Sequence, residues 1–86
     1  METHKLAIVI LNYNGINFLR KFMSNTVKHS EKFPVYVIDN NSSDYSLKYL
    51  NDEFPDVKVI KNGSNLGYAD GYNQGLKQID SEYYIL

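Results

Sequence analysis

Three clusters of polar residues in this 86-residue chain contain the groups that could do chemistry. Asp39 directly follows the apolar run at residues 35–38, and a carboxylate in that place can accept a hydrogen bond from a ring N–H of a bound base. The structural alternative is an Asx turn with the polar residues 40–43, which would cap the next helix. The two interpretations are compatible, because residues 40–44 can cap the helix while Asp39 faces a ligand.

A second cluster, formed by Asn12, Tyr13 and Asn14, ends the first apolar run of the chain. The ring of Tyr13 could pack along a base while the Asn side chains hold the loop. A structural turn before Gly15 is an equally good interpretation. The cluster therefore predicts either one wall of a ligand site or an ordinary strand end.

The third cluster is residues 65–75, where Gly71 and Gly75 interrupt a helical pattern. Each glycine costs up to about 1 kcal/mol in a helix relative to Ala, so some other interaction must offset that cost. Small residues on one helix face indicate the close approach of another backbone or of a ligand. Asn73 lies between the two glycines, and its side chain could project into the same space.

Apolar runs alternate with amphipathic stretches, which predicts the order strand, helix, strand, helix, strand, helix, strand. The predicted strands are residues 6–11, 35–38, 57–60 and 83–86. The first run is continuously apolar, as is typical of a parallel strand covered on both faces. We therefore expect a three-layer α/β fold with a parallel sheet in the order 3-2-1-4, whose strand ends line a ligand crevice.

The first predicted helix follows Gly15 and ends near His29 or Ser30. Apolar residues at helical spacing give it a buried stripe, which Phe18 and Phe22 are expected to widen. The residues that define this stripe are Ile16, Leu19, Met23 and Val27.

The second predicted helix is expected to begin at a cap supplied by Ser42 or Ser43, with Asp44 in its first turn, and to continue up to Pro55. The third helix is expected to follow the loop at residues 62–67. The buried residues predicted for these two helices are Leu47, Leu50, Phe54, Ala69, Tyr72, Leu76 and Ile79.

The composition counts against several classes of protein. A net charge of −1 provides no attraction for nucleic acid or for an anionic membrane surface, and 43% apolar residues exclude extended disorder. The chain has no cysteine, hence no disulfide framework and no thiolate metal site, and no apolar run approaches the ~20 residues that span a bilayer. No nucleophile elbow, Walker A loop or GxGxxG turn follows the first strand, which disfavours hydrolases, P-loop ATPases and dinucleotide-binding proteins.

Three motifs together resemble the amino-terminal half of the catalytic domain of glycosyltransferase family 2, especially its rhamnosyltransferase-like members. The motifs are LNYNG at residues 11–15, IDNNSSD at residues 38–44 and NLGYADGYNQG at residues 65–75. The resemblance covers residues 5–86. It implies the nucleotide-binding part of a GT-A domain, which has a Rossmann-like fold.

The resemblance also implies where a nucleotide-diphosphate sugar would bind. Asp39 would reach the base, and the loop around Asn12 and Tyr13 would contact the nucleoside. Residues of the third motif would lie beside the ribose and the diphosphate. The implied substrate-binding residues are Asn12, Tyr13, Asn14, Asp39, Asn41, Asn65, Gly71 and Asn73.

Members of this family hold a divalent metal, Mg²⁺ or Mn²⁺, on the diphosphate with an Asp-x-Asp element just after the fourth strand. The base that activates the acceptor lies farther along the family's sequence. Both positions are expected to follow Leu86. The resemblance therefore predicts a domain part truncated before the Asp-x-Asp element, which holds no metal and transfers no sugar by itself.

The activity implied for the complete enzyme is inverting transfer of a sugar from a nucleotide-diphosphate donor to a saccharide acceptor, in surface polysaccharide synthesis. We expect it in the cytoplasm, with a position at the inner membrane face left open. One alternative is a non-catalytic nucleotide-binding or assembly module. Another is a flavodoxin-like or receiver-like signalling domain, disfavoured because the first strand ends in Asn12, Tyr13 and Asn14 rather than in acidic residues.

Overall fold

The computed structural model describes residues 4–30 and 32–85 and shows a parallel four-stranded sheet with helices on both faces. The strands follow the order β3-β2-β1-β4, as predicted. The elements are β1 His4–Asn12, α1 Ile16–His29, β2 Val35–Asp39, α2 Ser46–Glu53, β3 Lys58–Lys61, α3 Tyr68–Leu76 and β4 Ser81–Ile85.

Right-handed crossovers explain the side on which each helix packs. The chain moves outward from β1 to β2 and then to β3, so α1 and α2 cover the same face of the sheet. It then returns past β1 to reach β4, which places α3 on the opposite face. The sheet therefore has two separate apolar cores.

The first core lies between the sheet and the helices α1 and α2. Its centre consists of residues that are buried almost completely, with half-buried side chains of β1 and α2 around them. The buried members are Leu19, Met23, Val35, Val37, Leu50 and Val57.

The second core lies between the sheet and α3. Because successive strand residues point to opposite faces, Val9 of β1 and Ile38 of β2 belong to this core, while their strand neighbours Ile8 and Val37 belong to the first. The buried members are Ala7, Val9, Ile38, Tyr72 and Ile79.

The aromatic residues of α1 do not widen its buried stripe, contrary to the prediction. Phe18 is 58% exposed and Phe22 is 43% exposed, whereas Leu19 and Met23 are buried. The two rings pack on each other, with centroids 4.6 Å apart. They border a cavity of about 460 Å³ over β1 and β4, which Ile85 also lines, so no further element covers them among the described residues.

Several predicted boundaries are corrected by the structure. Helix α2 begins at Ser46, and neither Ser42 nor Ser43 caps it. The hydroxyl of Ser42 donates to Asp39, and the backbone N–H of Ser46 donates to Asp44 instead. Asp44 precedes the helix instead of lying in its first turn.

Helix α3 ends at Leu76, so Ile79 contributes to the second core from the segment after the helix. The strand β3 begins at Lys58, one residue later than predicted, and β4 begins at Ser81, two residues earlier. The predicted last strand residue, Leu86, lies outside the described residues.

Candidate functional site

The carboxyl ends of β1 and β2 meet in a buried polar cluster. Asn12 and Asp39 are direct partners in the sheet register. The Nδ2 group of Asn12 donates to Oδ1 of Asp39 at 3.0 Å and to Oγ of Ser42 at 3.2 Å. The side chains of Asn12, Asp39 and Ser42, which we term the carboxylate cluster, therefore form one connected network.

The carboxylate of Asp39 is only 1% exposed and is held by three donors. Ser42 supplies two of them, its hydroxyl to Oδ1 at 2.7 Å and its backbone N–H to Oδ2 at 2.8 Å. The predicted turn at Asp39 is therefore confirmed, whereas the prediction that residues 40–43 cap the next helix is wrong, because the backbone N–H of Ser46 donates to Asp44 instead. A carboxylate has about four acceptor positions, so one position on Oδ2 is left, and the predicted contact with a base stays a prediction.

Asn14 holds the loop that follows β2. Its backbone has a φ of 50°, a left-handed conformation that Asn tolerates better than most residues. The Oδ1 atom accepts from the backbone N–H of Ser43 at 2.7 Å and of Asp44 at 3.2 Å, and its own N–H donates to Oγ of Ser42 at 2.9 Å. These bonds give Asn14 a structural role, and its contact with a ligand stays a prediction.

Asp44 joins the beginnings of two helices. Its Oδ2 accepts from the backbone N–H of Ile16 at the start of α1 at 3.1 Å, and its Oδ1 accepts from that of Ser46 at the start of α2 at 2.9 Å. Burial raises the pKa of Asp44, but the hydrogen bonds from Ser46 and Ile16 lower it by more, so the net shift is downward. A negative charge at two helix N-termini is also favourable for the helix dipoles.

A second polar network, which we term the amide hub, consists of Asn40, Asn62 and Asn65. Asn40 is 1% exposed, and its Nδ2 donates to Oδ1 of Asn65 and to the carbonyl oxygen of Gly67, both at 3.0 Å. Its Oδ1 accepts from Nδ2 of Asn62 at 3.0 Å and from the backbone N–H of Leu66 at 3.3 Å. The hub thus connects the end of β2 to the loop before α3.

The two glycines of α3 allow the helix to approach the sheet closely, as the sequence indicated. A Cβ atom at Gly71 would lie 2.8 Å from Nδ2 of Asn40, and one at Gly75 would lie 2.6 Å from Cγ1 of Ile38. Both glycines are buried. Side chains of the strands therefore occupy the space that they leave, and the predicted contact of Gly71 with a ligand stays a prediction.

The remaining predicted site residues lie on the outer rim of these networks. Tyr13 is 50% exposed, Asn41 is exposed with a φ of 67°, and Asn65 and Asn73 are exposed on the loop and on α3. The structure brings Asn12, Asn14 and Asp39 into hydrogen-bonded contact through Ser42, and it brings Asn65 to Asn40. It shows no hydrogen bond from these groups to Asn73.

Sequence analysis did not single out Asn40 and Asn62. Asn40 was expected only as one of several turn residues, and Asn62 only as part of a loop. One signal was available, because each Asn lies two residues after the end of an apolar run that the sequence predicts as a strand, Asn40 after the run in β2 and Asn62 after the run in β3. What the sequence does not contain is that the two amides face each other across the sheet edge.

Among residues 4–30 and 32–85, no three His, Cys, Asp or Glu side chains come together in a way that could hold a metal ion. The carboxylates of Asp39 and Asp44 are already engaged by protein donors. The described residues therefore do not fit a divalent metal site of this kind. None of the helices in the described part of the chain is long and apolar enough to cross a membrane.

In open parallel α/β sheets, ligand crevices lie outside the carboxyl ends of the strands, and the two polar networks of this chain lie at those ends. The chain belongs to glycosyl transferase family 2, whose sequence profile matches residues 7–86. This match confirms the resemblance seen in the three motifs.

Curated relatives agree with this assignment. The chain is 29% identical over 79 residues to the N-acetylglucosaminyl-diphospho-decaprenol L-rhamnosyltransferase of Mycobacterium tuberculosis, covering 90% of this chain and 25% of that protein. It is 24% identical over 83 residues to an uncharacterized glycosyltransferase of Haemophilus influenzae, covering 92% of this chain and 26% of the relative. The chain spans about a quarter of the length of the curated relatives that it matches.

Solved structures support the fold. TarS 1–349 of S. aureus in complex with UDP superposes with a TM-score of 0.77 at 22% identity, covering 94% of this chain and 26% of TarS 1–349. A second crystal structure of TarS 1–349 superposes with a TM-score of 0.76. The GT-A fold predicted from the resemblance is thereby confirmed.

Proposed function

We propose that this chain forms the nucleotide-recognition side of the donor site in a glycosyltransferase, which moves a sugar from a nucleotide-diphosphate donor to a saccharide acceptor. The observation that carries this proposal is the buried carboxylate of Asp39. It lies at the end of β2, it is oriented by Asn12 and Ser42, and it keeps one acceptor position. A base with a ring N–H, such as uracil or thymine, supplies the matching donor.

The other site residues are assigned around that contact. Tyr13 packs along the base, since it directly follows Asn12 of the carboxylate cluster and is 50% exposed. Asn14 and Asn41 occupy the two left-handed positions in the neighbouring loops and shape the rim of the base site. Asn65 and Asn73 lie beside the ribose and the diphosphate, and Gly71 permits the close approach of α3 there.

We further propose that the complete enzyme inverts the anomeric centre. The acceptor hydroxyl attacks the anomeric carbon as the nucleoside diphosphate leaves, so one bond forms while the other breaks. In the complete enzyme a divalent metal would offset the charge of the leaving diphosphate and a general base would accept the proton of the acceptor hydroxyl. None of the described residues is assigned to either role.

The acceptor and the location are inferred from the relatives. The mycobacterial relative is named as a rhamnosyltransferase that acts on N-acetylglucosaminyl-diphospho-decaprenol. We therefore propose a saccharide acceptor in surface polysaccharide synthesis, with the enzyme acting in the cytoplasm and a position at the inner membrane face left open.

The substitution Asp39→Ala tests the base contact. It removes a charged acceptor, so we expect binding of uridine diphosphate or thymidine diphosphate to weaken by about 1–3 kcal/mol, the range for loss of a hydrogen bond to a charged group. Isothermal titration calorimetry measures the affinity, and circular dichroism checks that the variant is folded. Asp56→Ala is the matched control, because Asp56 is exposed before β3 and lies near the beginning of β2, at the opposite end of that strand from Asp39.

Unchanged nucleotide affinity in a folded Asp39→Ala protein would leave this residue with its turn role alone. No binding of either nucleotide to the unsubstituted protein would contradict the proposed function as a whole.

A further inference from the structure

We propose that Asn40 is a positioning residue, which fixes the loop at residues 65–67 and the start of α3 relative to the base-binding carboxylate of Asp39. Asn40 thereby keeps the site for the base and the site for the ribose and diphosphate in a fixed relative position. This inference rests on the proposed function, since it concerns the same site. Asn40 acts through its neighbours and does not contact the ligand.

The side-chain amide of Asn40 has a hydrogen-bond partner at every donor and acceptor position. An Asn side chain offers two N–H donors and an oxygen with two lone pairs. Asn40 makes two donor contacts at 3.0 Å and two acceptor contacts at 3.0 and 3.3 Å. A saturated, buried amide has one orientation only, so every group bonded to it is held in a defined place.

Asp39 and Asn40 are consecutive residues at the end of β2. Consecutive residues at a strand end point to opposite faces, and here Asp39 bonds Ser42 while Asn40 bonds the loop before α3. The backbone on both sides is also tied, because Asn40 N–H donates to the carbonyl of Asn12 at 2.8 Å and Asn62 N–H donates to the carbonyl of Asp39 at 2.8 Å. One short segment therefore sets both the base contact and the loop.

The loop at residues 65–67 is bonded to the rest of the protein mainly through Asn40. Residues 63–70 are all exposed, and Gly67 has a φ of 81°. Three of the four bonds of the Asn40 side chain reach this loop directly, at Asn65, Leu66 and Gly67. Loss of Asn40 therefore frees the loop, while the two apolar cores remain.

The hub also determines how closely α3 packs. Gly71 has no Cβ, and one placed there would lie 2.8 Å from Nδ2 of Asn40 and 3.1 Å from Cδ1 of Leu11. The Nδ2 group of Asn62 donates to the carbonyl oxygen of Gly71 at 3.2 Å. The helix is thus bonded to the hub as well as in contact with it.

Asn40→Ala tests the proposal through a comparison of two ligands. Affinities for uridine and for uridine diphosphate, and for the thymidine pair, are measured by calorimetry on the full chain. We expect the nucleoside affinity to stay within about twofold, because the carboxylate cluster is intact, and the diphosphate affinity to fall by about tenfold, the size expected for one lost hydrogen bond. A role in stability alone lowers both affinities by the same factor or changes neither.

Asn62→Ala provides a second test that does not remove Asn40. Asn62 is buried and its Oδ1 has no partner among the described residues, so its truncation also removes an unsatisfied acceptor, which favours a folded variant. We expect the same pattern with a smaller loss for the diphosphate. Asn51→Ala, an exposed position on α2, is the control and is expected to leave both affinities unchanged.

The outcomes separate the inference from the proposed function. An unsubstituted protein that binds neither diphosphate contradicts both. A protein that binds them, but whose folded Asn40→Ala and Asn62→Ala variants keep the ratio of nucleoside to diphosphate affinity, contradicts the positioning role alone. If the Asn40→Ala variant does not fold, the ratio of nucleoside to diphosphate affinity in Asn62→Ala tests the positioning role.

Discussion

At the scale of single residues, Asp44 shows how one side chain can organise two helices. It accepts the first N–H of α1 and of α2 from opposite sides of its carboxylate. Neither helix has a side-chain cap at its own N-cap position, Gly15 or Tyr45. The loop between β2 and α2 therefore depends on Asp44 for the caps of both helices.

Asp44→Ala is expected to lower the free energy of unfolding by about 1–2 kcal/mol at pH 7, because loss of an Asp cap costs that much for one helix. The pKa of Asp44 lies below its ordinary value of 3.8 in the folded state. The stabilisation is therefore complete above the unfolded pKa and is lost as the pH falls through the folded pKa. Urea denaturation of both proteins from neutral to acidic pH should show their difference shrinking only in that acidic range.

Ser43→Ala is the control for Asp44→Ala, because the Ser43 side chain is exposed and its backbone N–H keeps its bond to Asn14. A difference between wild type and Asp44→Ala that stays constant down to the acid transition would contradict the ionised cap.

At the scale of elements, the contact of α3 with β2 decides the geometry of the candidate site. Gly75 and Gly71 bring the helix against Ile38 and Asn40. The first contact is apolar and belongs to the second core, while the second is polar and belongs to the amide hub. Helix packing and site geometry are consequently determined by the same face of α3.

Gly75→Ala is expected to destabilise the fold although Ala is the better helix former. The added Cβ would lie 2.6 Å from both Cγ1 and Cγ2 of Ile38, which is fully buried. Overpacking costs about 1–3 kcal/mol, more than the gain of up to about 1 kcal/mol in helix propensity. Urea denaturation measures the change, and adding Ile38→Val should recover part of the loss.

The matched control for this substitution is Gly63→Ala, because no atom lies within 4 Å of the added Cβ there. Equal effects of the two substitutions would show that α3 has room to move away from the sheet.

At the scale of the whole molecule, the sheet separates two apolar cores, one covered by two helices and the other by one helix. Helices α1 and α2 lie over β1, β2 and β3, and α3 lies over the other face. A cavity of about 460 Å³ lies beside β1 and Ile85 of β4, and it is lined by Phe18 and Phe22 of α1 and by Tyr72 of α3. The two phenylalanine rings are exposed. Burial in α1 is therefore confined to a narrower stripe than its apolar sequence predicts.

A comparison of neighbouring residues in α1 tests this distribution of burial. Leu19→Ala should cost about 2–5 kcal/mol, as for a fully buried Leu, because Leu19 is 1% exposed. Phe18→Ala should cost about 1 kcal/mol or less, since it loses mainly the contact with Phe22. Both values follow from urea denaturation, and a larger loss for Phe18→Ala would indicate that its ring is covered in solution.

Local chemistry along the chain was enough to predict the strand order and the positions of the strands and helices. Apolar runs and helical spacing identify elements, and the right-handed crossover then leaves few arrangements. The turn role of Asp39 and the close approach of α3 at Gly71 and Gly75 also follow from residue type, because polar strand ends and glycines in helices have few explanations. Apart from the strand order, which follows from the crossover rule, these features are local, so the sequence alone determined them.

The tertiary structure decided which distant groups meet. The cap of α2 comes from Asp44, which accepts from the backbone N–H of Ser46, rather than from Ser43 or from Ser42, whose hydroxyl donates to Asp39. The bond between Asn40 and Asn62 joins residues 22 positions apart, and the exposure of Phe18 depends on how far the sheet extends beneath it. Hydrogen bonds and burial of this kind depend on distances in space, which the spacing of residues along the chain does not contain.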